Sequence, residues 1–346
     1  MNEQTKLWKL STPIDKKNSA IIEAAELLKA QQVVAFPTET VYGLGADATR
    51  EDAVQKIFEA KGRPADNPLI VHVSNRDQVD ELVTEISAIA EKLMSAFWPG
   101  PLTLVLPSNG RAAKNVTAGL STVAIRMPSD DTALAILNAS GLPLAAPSAN
   151  RSGRPSPTDA EHVMQDLDGR IAGVVDGGPT GVGVESTVVD CTTENPIILR
   201  PGGVTKEDLQ ELVPGIIVDP ALAEQDKQPK SPGMKYTHYA PESPLWLIDG
   251  DERFFKEQLQ QLKDDGDRVG VIASSELAEQ LDHEPVIVCG SREDLTEVAG
   301  ELYRALRQFK KADVDIILCE TFAETGVGAA IMNRLQKAAS QKIIQH

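Results

Sequence analysis

The chain has 346 residues, of which 51 are acidic, 34 are basic and 41% are hydrophobic, and its formal net charge is −17. At roughly 100 to 200 residues per domain, this length predicts two domains, and the negative charge argues against gripping DNA or RNA by bulk charge. The three cysteines lack paired spacing, and the sequence contains neither an apolar signal core nor a segment of membrane-spanning length. These features favour a protein of the reducing cytoplasm, away from any membrane.

Hydrophobic periodicity predicts a mixed α/β amino-terminal part. Residues 18–30 predict a helix with a wide apolar face, followed by a short strand at 33–36. Thr49 and Asp52 are spaced as a capping box, which would open a helix that ends at Gly62.

A further amphipathic helix is predicted to run without interruption from Val79 to Phe97, and Pro99 and Gly100 would end it. Short apolar runs predict strands at residues 69–73, 102–106, 123–127, 187–190 and 197–199. Together these elements predict an open twisted sheet covered by helices.

The remainder of the chain is more regular. Residues 220–243 are rich in proline and polar residues, which is typical of a linker. Beyond them, apolar runs alternate with helical patterns, which predicts a βαβ series with a parallel sheet; the runs lie at 245–248, 269–273, 286–289 and 315–319. We therefore predict one domain at 1–219, a linker at 220–243 and a second domain at 244–346.

Several common catalytic devices are missing from the sequence. It contains neither a P-loop motif nor a Gly-x-Ser-x-Gly elbow, and its five histidines and three cysteines show no zinc-ligand spacing. Gly43, Gly45 and Ala48 satisfy Gly-x-Gly-x-x-Ala, but six residues separate them from the strand at 33–36, too many for the tight turn of a dinucleotide site.

Polar residues instead follow the ends of predicted strands and helices. Thr38 and Thr40 flank a carboxylate after the strand at 33–36, where they either cap a turn or face a ligand. Lys61 and Arg63 lie in a proline-rich turn after a helix. They could complement the end of that helix or clamp a phosphate.

Two glycine-rich or small-residue segments add neutral donors. Ala145–Asn150 ends in Ser148 and Asn150, which can bond a sugar, a phosphate or a base. Residues 177–187 form a glycine-rich loop that is either an anion-binding nest or a plain surface loop. Arg126 and Arg200 lie in or after apolar strands, so each needs an internal carboxylate or an anionic ligand. The set describes a site for an anionic ligand that works by positioning and electrostatics.

The motifs resemble those of the YrdC-like domain of threonylcarbamoyl-AMP synthases. They are the segment Phe36-Pro-Thr-Glu-Thr-Val-Tyr-Gly-Leu, Lys61-x-Arg63-Pro with Asn67-Pro-Leu-Ile-Val-His72, Ser148-x-Asn150 and Arg200-Pro-Gly. The segment Ser231–Pro241 resembles the linker of the two-domain members, which carry a small Rossmann-like domain behind it. The resemblance covers the whole chain and implies a YrdC-like open twisted mixed sheet with helices, followed by a small Rossmann-like parallel α/β domain.

The resemblance implies a nucleotidyltransferase. Family members convert L-threonine, bicarbonate and ATP into threonylcarbamoyl-AMP and pyrophosphate, the first step towards N6-threonylcarbamoyladenosine beside the anticodon of tRNA. Magnesium would be held mainly by the ATP phosphates, with no metal ligands from the protein. The product would pass to a tRNA threonylcarbamoyl transferase complex, so little or no direct binding of tRNA is expected.

The resemblance also assigns residues to roles. Lys61 and Arg63 are expected to act on the triphosphate during catalysis. The ATP site would comprise Arg63, Asn67, Thr122, Ser148, Asn150, Ser156, Arg200 and Tyr236. The L-threonine site would comprise Thr38, Thr40, His72, Arg126, the backbone of Ala146, and Ser186. Two of these assignments have a competing interpretation. His72 could be a histidine of the hydrophobic core, and Tyr236 could be a linker residue packed on the surface instead of part of a lid.

Two other functions compete with this one. An RNA-binding factor of translation or the ribosome could present Lys61, Arg63, Arg151 and Arg154 as a basic concavity. A carboxy-terminal domain that senses a small ligand rests on fold analogy alone.

Overall fold

The computed structural model describes residues 4–11, 18–220, 238–310 and 312–345. The chain divides into two compact units, of which the second contains the carboxy-terminal sheet together with Gly153–Pro155 and Val182–Val184. Most of the predicted linker, residues 221–237, lies outside the described residues. The predicted domain boundaries at 219 and 244 therefore stay a prediction.

The first unit is built on one large mixed sheet. Its described strands are β1 (Lys6–Lys9), β2 (Val34–Phe36), β3 (Gly43–Asp47), β4 (Ile70–His72), β5 (Leu102–Pro107), β6 (Thr122–Arg126), β7 (Leu144–Ala145), β8 (Gly173–Asp176), β9 (Thr187–Asp190), β10 (Ile197–Arg200) and β11 (Ile217–Val218). Their order in the sheet is β1-β8-β2-β3-β7-β4-β6-β5-β9-β10-β11. Parallel pairs such as β4 with β6 stand beside antiparallel pairs such as β5 with β6, as the mixed sheet requires.

Helices cover both faces of this sheet. They are α1 (Ser19–Lys29), α2 (Glu51–Lys61), α3 (Arg76–Asp80), α4 (Ala88–Phe97), α5 (Lys114–Thr117), α6 (Asp131–Ser140), α7 (Ala160–Leu167) and α8 (Lys206–Leu212). Successive side chains of a strand point to opposite faces. Accordingly, Ala35 of β2 packs in the core under α2 and α4, whereas Val34 and Phe36 pack in a second core under α1 and α6.

The predicted capping box at Thr49 is wrong. Helix α2 begins at Glu51, and its N-cap, Arg50, makes no side-chain cap. The hydroxyl of Thr49 instead donates to Asp47 Oδ1 at 2.7 Å, because that carboxylate lies at the end of β3 directly before the turn. The predicted end is confirmed, since Gly62 terminates the helix with a φ of 62°.

The single helix predicted from Val79 to Phe97 is also wrong. The chain forms α3 and α4 with a turn between them, where Val83 makes an isolated bridge to Ser108. Ser87 then starts α4 by accepting a hydrogen bond from the Ala90 amide. The apolar residues that suggested one helix are buried on both sides of this break.

The glycines at 43 and 45 serve a strand and not a nucleotide-binding turn. Both lie in β3, which pairs with β2. A Cβ atom on Gly45 would lie 2.6 Å from a ring carbon of Phe36, so the glycine allows that ring to cover the strand. This geometry agrees with the prediction that Gly43 and Gly45 do not form a dinucleotide-binding turn.

The second unit contains a small parallel sheet. Its described elements are β12 (Leu245–Asp249), α9 (Glu252–Asp264), β13 (Val269–Ala273), α10 (Ser275–Ala278), β14 (Val286–Val288), α11 (Leu295–Gln308), β15 (Ile316–Glu320), α12 (Gly328–Ala338) and β16 (Gln341–Ile344). The strands run in the order β14-β13-β15-β12-β16 and every pair is parallel. The four predicted strands are confirmed, and β16 was missed. Of the helices described in either unit, none has the length and hydropathy to cross a membrane.

Candidate functional site

The loop between β2 and β3 holds two buried hydroxyls. The Thr38 and Thr40 side-chain oxygens lie 2.8 Å apart, and the Thr38 hydroxyl donates to the Val41 carbonyl at 2.7 Å. The amides of Thr40 and Val41 donate back to Thr38 Oγ1. Thr38 therefore caps the turn and holds Thr40 in a fixed position, whereas the role of this segment in binding a ligand stays a prediction.

Arg126 ends β6 and joins this loop. Its Nη1 donates to Thr40 Oγ1 at 2.8 Å, its Nε donates to the Gly100 carbonyl at 3.3 Å, and its Nη2 lies 2.6 Å from Glu39 Oε1. In sheet order β2 and β6 stand four places apart, which in a flat sheet is about 19 Å. The β2–β3 loop therefore reaches across the intervening strands to bring Thr40 to Arg126, and Glu39 is an internal carboxylate for the arginine.

His72 ends β4 beside Arg126. The two residues are register partners in the parallel pair of β4 and β6. Burial, reinforced by the charge of Arg126, lowers the pKa of His72 to about 3. The imidazole is therefore neutral near pH 7, and it can offer one donor and one acceptor.

Asp130 precedes α6 and caps it, accepting a hydrogen bond from the Ala133 amide at 2.9 Å. Burial raises the pKa of Asp130 to about 6, and the negative charge of Glu39 adds to the rise against the opposing effect of the amide. Asp130 and Glu39 are thus two carboxylates that interact electrostatically, and Glu39 also pairs with Arg126.

Ala146 and Thr122 were predicted to contact L-threonine and ATP, respectively, and they lie in different settings. The Ala146 amide donates to the Ile70 carbonyl at 3.0 Å, so this amide is already engaged within the fold. Thr122 is the half-buried first residue of β6, at the opposite end of that strand from Arg126.

The Lys61 side chain is buried and links two segments of the chain, instead of projecting from a loop. Its side chain, on a residue that is 3% exposed, donates to the carbonyls of Ser148 and Asn150 at 2.5 and 2.8 Å. These bonds fasten the end of α2 to the segment after β7 and bring the second and third predicted clusters together. The expectation that Lys61 projects into a loop is wrong, and its burial removes one of the four cations of the basic concavity considered for RNA.

Arg63 and Asn67 lie in the turn after α2. Arg63 is half-buried, and its Nη2 donates to the Asn67 carbonyl at 3.2 Å. Both polar atoms of the Asn67 side chain are buried without a hydrogen bond to any described residue. A buried amide in this state is a candidate ligand contact.

Ser186 and Arg200 form another group where β9 begins and β10 ends. Arg200 donates through Nε and Nη2 to the Ser186 carbonyl and through Nη2 to the Ser186 hydroxyl, which also contacts Thr103 at 2.8 Å. A Cβ atom on Gly202 would lie within 2.4 Å of the backbone of Ser186 and Thr187, so this glycine permits the close approach of the two segments.

The remaining expected residues are Ser156 and Tyr236. Ser156 is fully buried and its hydroxyl donates to Glu185 Oε1 at 2.6 Å. Tyr236 lies outside the described residues, so the lid that it was predicted to form stays a prediction. Within the described ranges, no group of three or more His, Cys, Asp or Glu side chains could hold a metal ion.

Sequence reasoning missed Glu39, Asp130, Glu185 and Thr103. For Glu39 a signal existed, because an arginine in an apolar strand demands an anion and Glu39 lies between two predicted ligand residues. The other three carried no such pattern.

Two family models match this chain. One, described as telomere recombination, matches residues 26–202, and the other, described as threonylcarbamoyl-AMP synthase, C-terminal domain, matches residues 204–340. Among curated relatives, a threonylcarbamoyl-AMP synthase of Bacillus subtilis is 53% identical over 99% of this chain and 100% of its own length. One of Pyrococcus abyssi is 46% identical over 93% of this chain and 94% of its own length.

A solved structure is also similar over nearly the whole chain. The crystal structure of Pyrococcus abyssi Sua5 complexed with L-threonine matches with a TM-score of 0.94 and 44% identity, covering 99% of this chain and 100% of that one. The mixed and parallel sheets described above are thus similar to those of that protein.

The Asp130 carboxyl makes stability depend on pH. An unfolded aspartate has a pKa of about 3.9, below the value of about 6 in the folded protein. As the pH rises from 4 to 6, the unfolded chain therefore releases this proton more readily than the folded one, and the free energy of unfolding falls. Asp130→Asn retains an N-cap and should raise the free energy of unfolding relative to wild type by about 1 to 3 kcal/mol at pH 7 and little at pH 4. Urea unfolding across this range measures the difference.

A matched control is Asp251→Asn. Asp251 caps α9, but it is exposed and its hydrogen bond from the Phe254 amide lowers its pKa. This variant should show no gain at pH 7. An equal gain in both variants, or a pH-independent effect of Asp130→Asn, would contradict the burial account.

Proposed function

The chain belongs to the threonylcarbamoyl-AMP synthase family, and from this premise we propose that it converts L-threonine, bicarbonate and ATP into threonylcarbamoyl-AMP and pyrophosphate. The observation that carries the proposal is the match to the Bacillus subtilis enzyme over 99% of this chain, which includes both units. The product supplies the threonylcarbamoyl group for adenosine beside the tRNA anticodon. A separate transferase complex of the cytoplasm consumes it.

The proposed threonine subsite is the group around Arg126. A neutral His72, the hydroxyl of Thr40 and the guanidinium of Arg126 lie within one buried region and offer donors for a carboxylate and a hydroxyl. Thr38 fixes Thr40, and Ser186 and the Ala146 carbonyl complete the proposed subsite.

The proposed ATP subsite draws on Arg63, Asn67, Thr122, Ser148, Asn150, Ser156, Arg200 and Tyr236. Here Lys61 has two functions: its ammonium brings a positive charge into the site and its bonds hold Ser148 and Asn150 in place. Magnesium is proposed to arrive with ATP, held mainly by phosphate oxygens and water, and to offset phosphate charge when bound.

Positioning and charge stabilisation would perform the chemistry. The threonine amine is first converted to a carbamate, and a carbamate oxygen then attacks the α-phosphorus of ATP while pyrophosphate leaves. Arg63 and Lys61 stabilise the charge that develops on the phosphate oxygens. The protein itself needs no covalent intermediate for these steps.

Pyrophosphate release tests the proposed reaction. With purified protein in degassed buffer, ATP and magnesium, release should require both L-threonine and added bicarbonate, because the carbamate is the nucleophile. Each substrate is omitted in turn and pyrophosphate is measured by a coupled phosphate assay. Release that continues at the full rate after both omissions would contradict the proposal.

Arg63 can be substituted without breaking the buried hydrogen bonds that Lys61 makes, since Arg63 is a separate, half-buried residue. Arg63→Ala should lower kcat by about 10² if the guanidinium stabilises transition-state charge. Arg111→Ala, which removes an exposed arginine outside the proposed site, is the control and should keep wild-type turnover. Wild-type kcat in a folded Arg63→Ala protein would reduce this residue to a helix-end cation.

A further inference from the structure

Glu39 and Arg126 form a buried ion pair with unusual hydrogen bonding. Their Oε1 and Nη2 atoms lie 2.6 Å apart, and the two side chains are 14% and 4% exposed. Both Glu39 oxygens and Arg126 Nη2 are shielded from solvent, yet none of the three makes a hydrogen bond of normal geometry with a described residue.

A surface pair of the same length shows the contrast. Arg76 Nη2 lies 2.6 Å from Glu91 Oε1, and there both guanidinium nitrogens donate to the carboxylate while both side chains are more than 40% exposed. Desolvating an ion pair is expensive unless hydrogen bonds satisfy its remaining atoms. Groups left unsatisfied in a buried site therefore call for a ligand or another functional explanation.

An α-amino acid matches the charges of this pair. At neutral pH it carries an ammonium and a carboxylate on one carbon atom, so it can complement a carboxylate and a guanidinium that lie side by side. We propose that Glu39 binds the ammonium group of L-threonine while Arg126 binds its carboxylate, which makes the pair a receptor for a zwitterion. This assignment rests on the proposed function and adds to it a residue that selects the amino group.

The surroundings favour a cation beside Glu39. Asp130 is close enough to interact electrostatically with Glu39, so both carboxylates contribute negative potential there. His72 is neutral and adds no competing positive charge. Thr40 already accepts a hydrogen bond from Arg126 Nη1, which orients the guanidinium and leaves Nη2 directed at Glu39.

Three ligands separate the two charges of threonine. L-Threonine carries both, L-threoninol has the ammonium without the carboxylate, and 2,3-dihydroxybutanoate has the carboxylate without the ammonium. Glu39→Gln should weaken binding of threonine and threoninol by about tenfold or more, since a charged hydrogen bond is lost. Its affinity for dihydroxybutanoate should stay within about threefold of wild type. Isothermal titration calorimetry of the full chain measures all three.

The outcomes are distinguishable. If Glu39 only positions Arg126, Glu39→Gln would weaken dihydroxybutanoate as much as threonine, and this result would overturn the assignment. Unchanged threonine affinity would also overturn it. Wild-type protein that binds no threonine would instead refute the proposed function. Glu91→Gln, which breaks the surface pair of the same length, is the matched control and should change none of the three affinities.

A second variant covers a failure of Glu39→Gln to fold, judged by circular dichroism. Glu39→Asp keeps the charge but shortens the side chain by one methylene. It should weaken the two ammonium ligands and spare dihydroxybutanoate. An equal loss for all three ligands in this variant would contradict the assignment.

Discussion

The buried positive charge of Arg126 at the end of β6 organises the residues around it. The residue is 3% exposed, and a buried charge is tolerated only where partners replace the water that it has lost. Those partners come from two separate places in the sequence: Glu39 and Thr40 in one loop, and the Gly100 carbonyl in another. The path of the β2–β3 loop follows from this need, and so in part does the neutral state of His72.

Lys61 is a second buried cation that needs partners from distant parts of the sequence. A lysine ammonium carries three donors, and two backbone carbonyls more than 80 residues away accept from it. The end of α2 and the segment after β7 are thereby fixed to each other. Reactions that depend on placing substrates require loops held in this way, because a misplacement of about 1 Å can cost a hundredfold in rate.

Much of the fold could be predicted from local pattern. The strands that read as apolar runs were found, because burial on both faces gives them continuous hydrophobic residues. Prediction failed where specific contacts, which the hydrophobic period does not encode, decide the outcome. Asp47 takes the Thr49 hydroxyl that would have capped α2, and the bridge from Val83 to Ser108 interrupts the expected long helix. Strand β7, with two residues, is too short to show a period.

The site could be predicted only in part, because distant contacts decide which partners its charged residues have. Sequence reasoning required an anion for Arg126 but could not choose between an internal carboxylate and a ligand, because the choice depends on how the β2–β3 loop folds. In the structure the carboxylate is Glu39, and its unsatisfied oxygens leave a role for the ligand as well. Lys61 was expected in a loop because the carbonyls that bury it are distant in sequence.

A crystal structure of this chain bound to L-threonine tests the central claim most directly. The ammonium nitrogen should lie within about 3.2 Å of a Glu39 carboxylate oxygen, with the threonine carboxylate on the Arg126 guanidinium. An ammonium directed away from Glu39, with Glu39 contacting Arg126 alone, would contradict it.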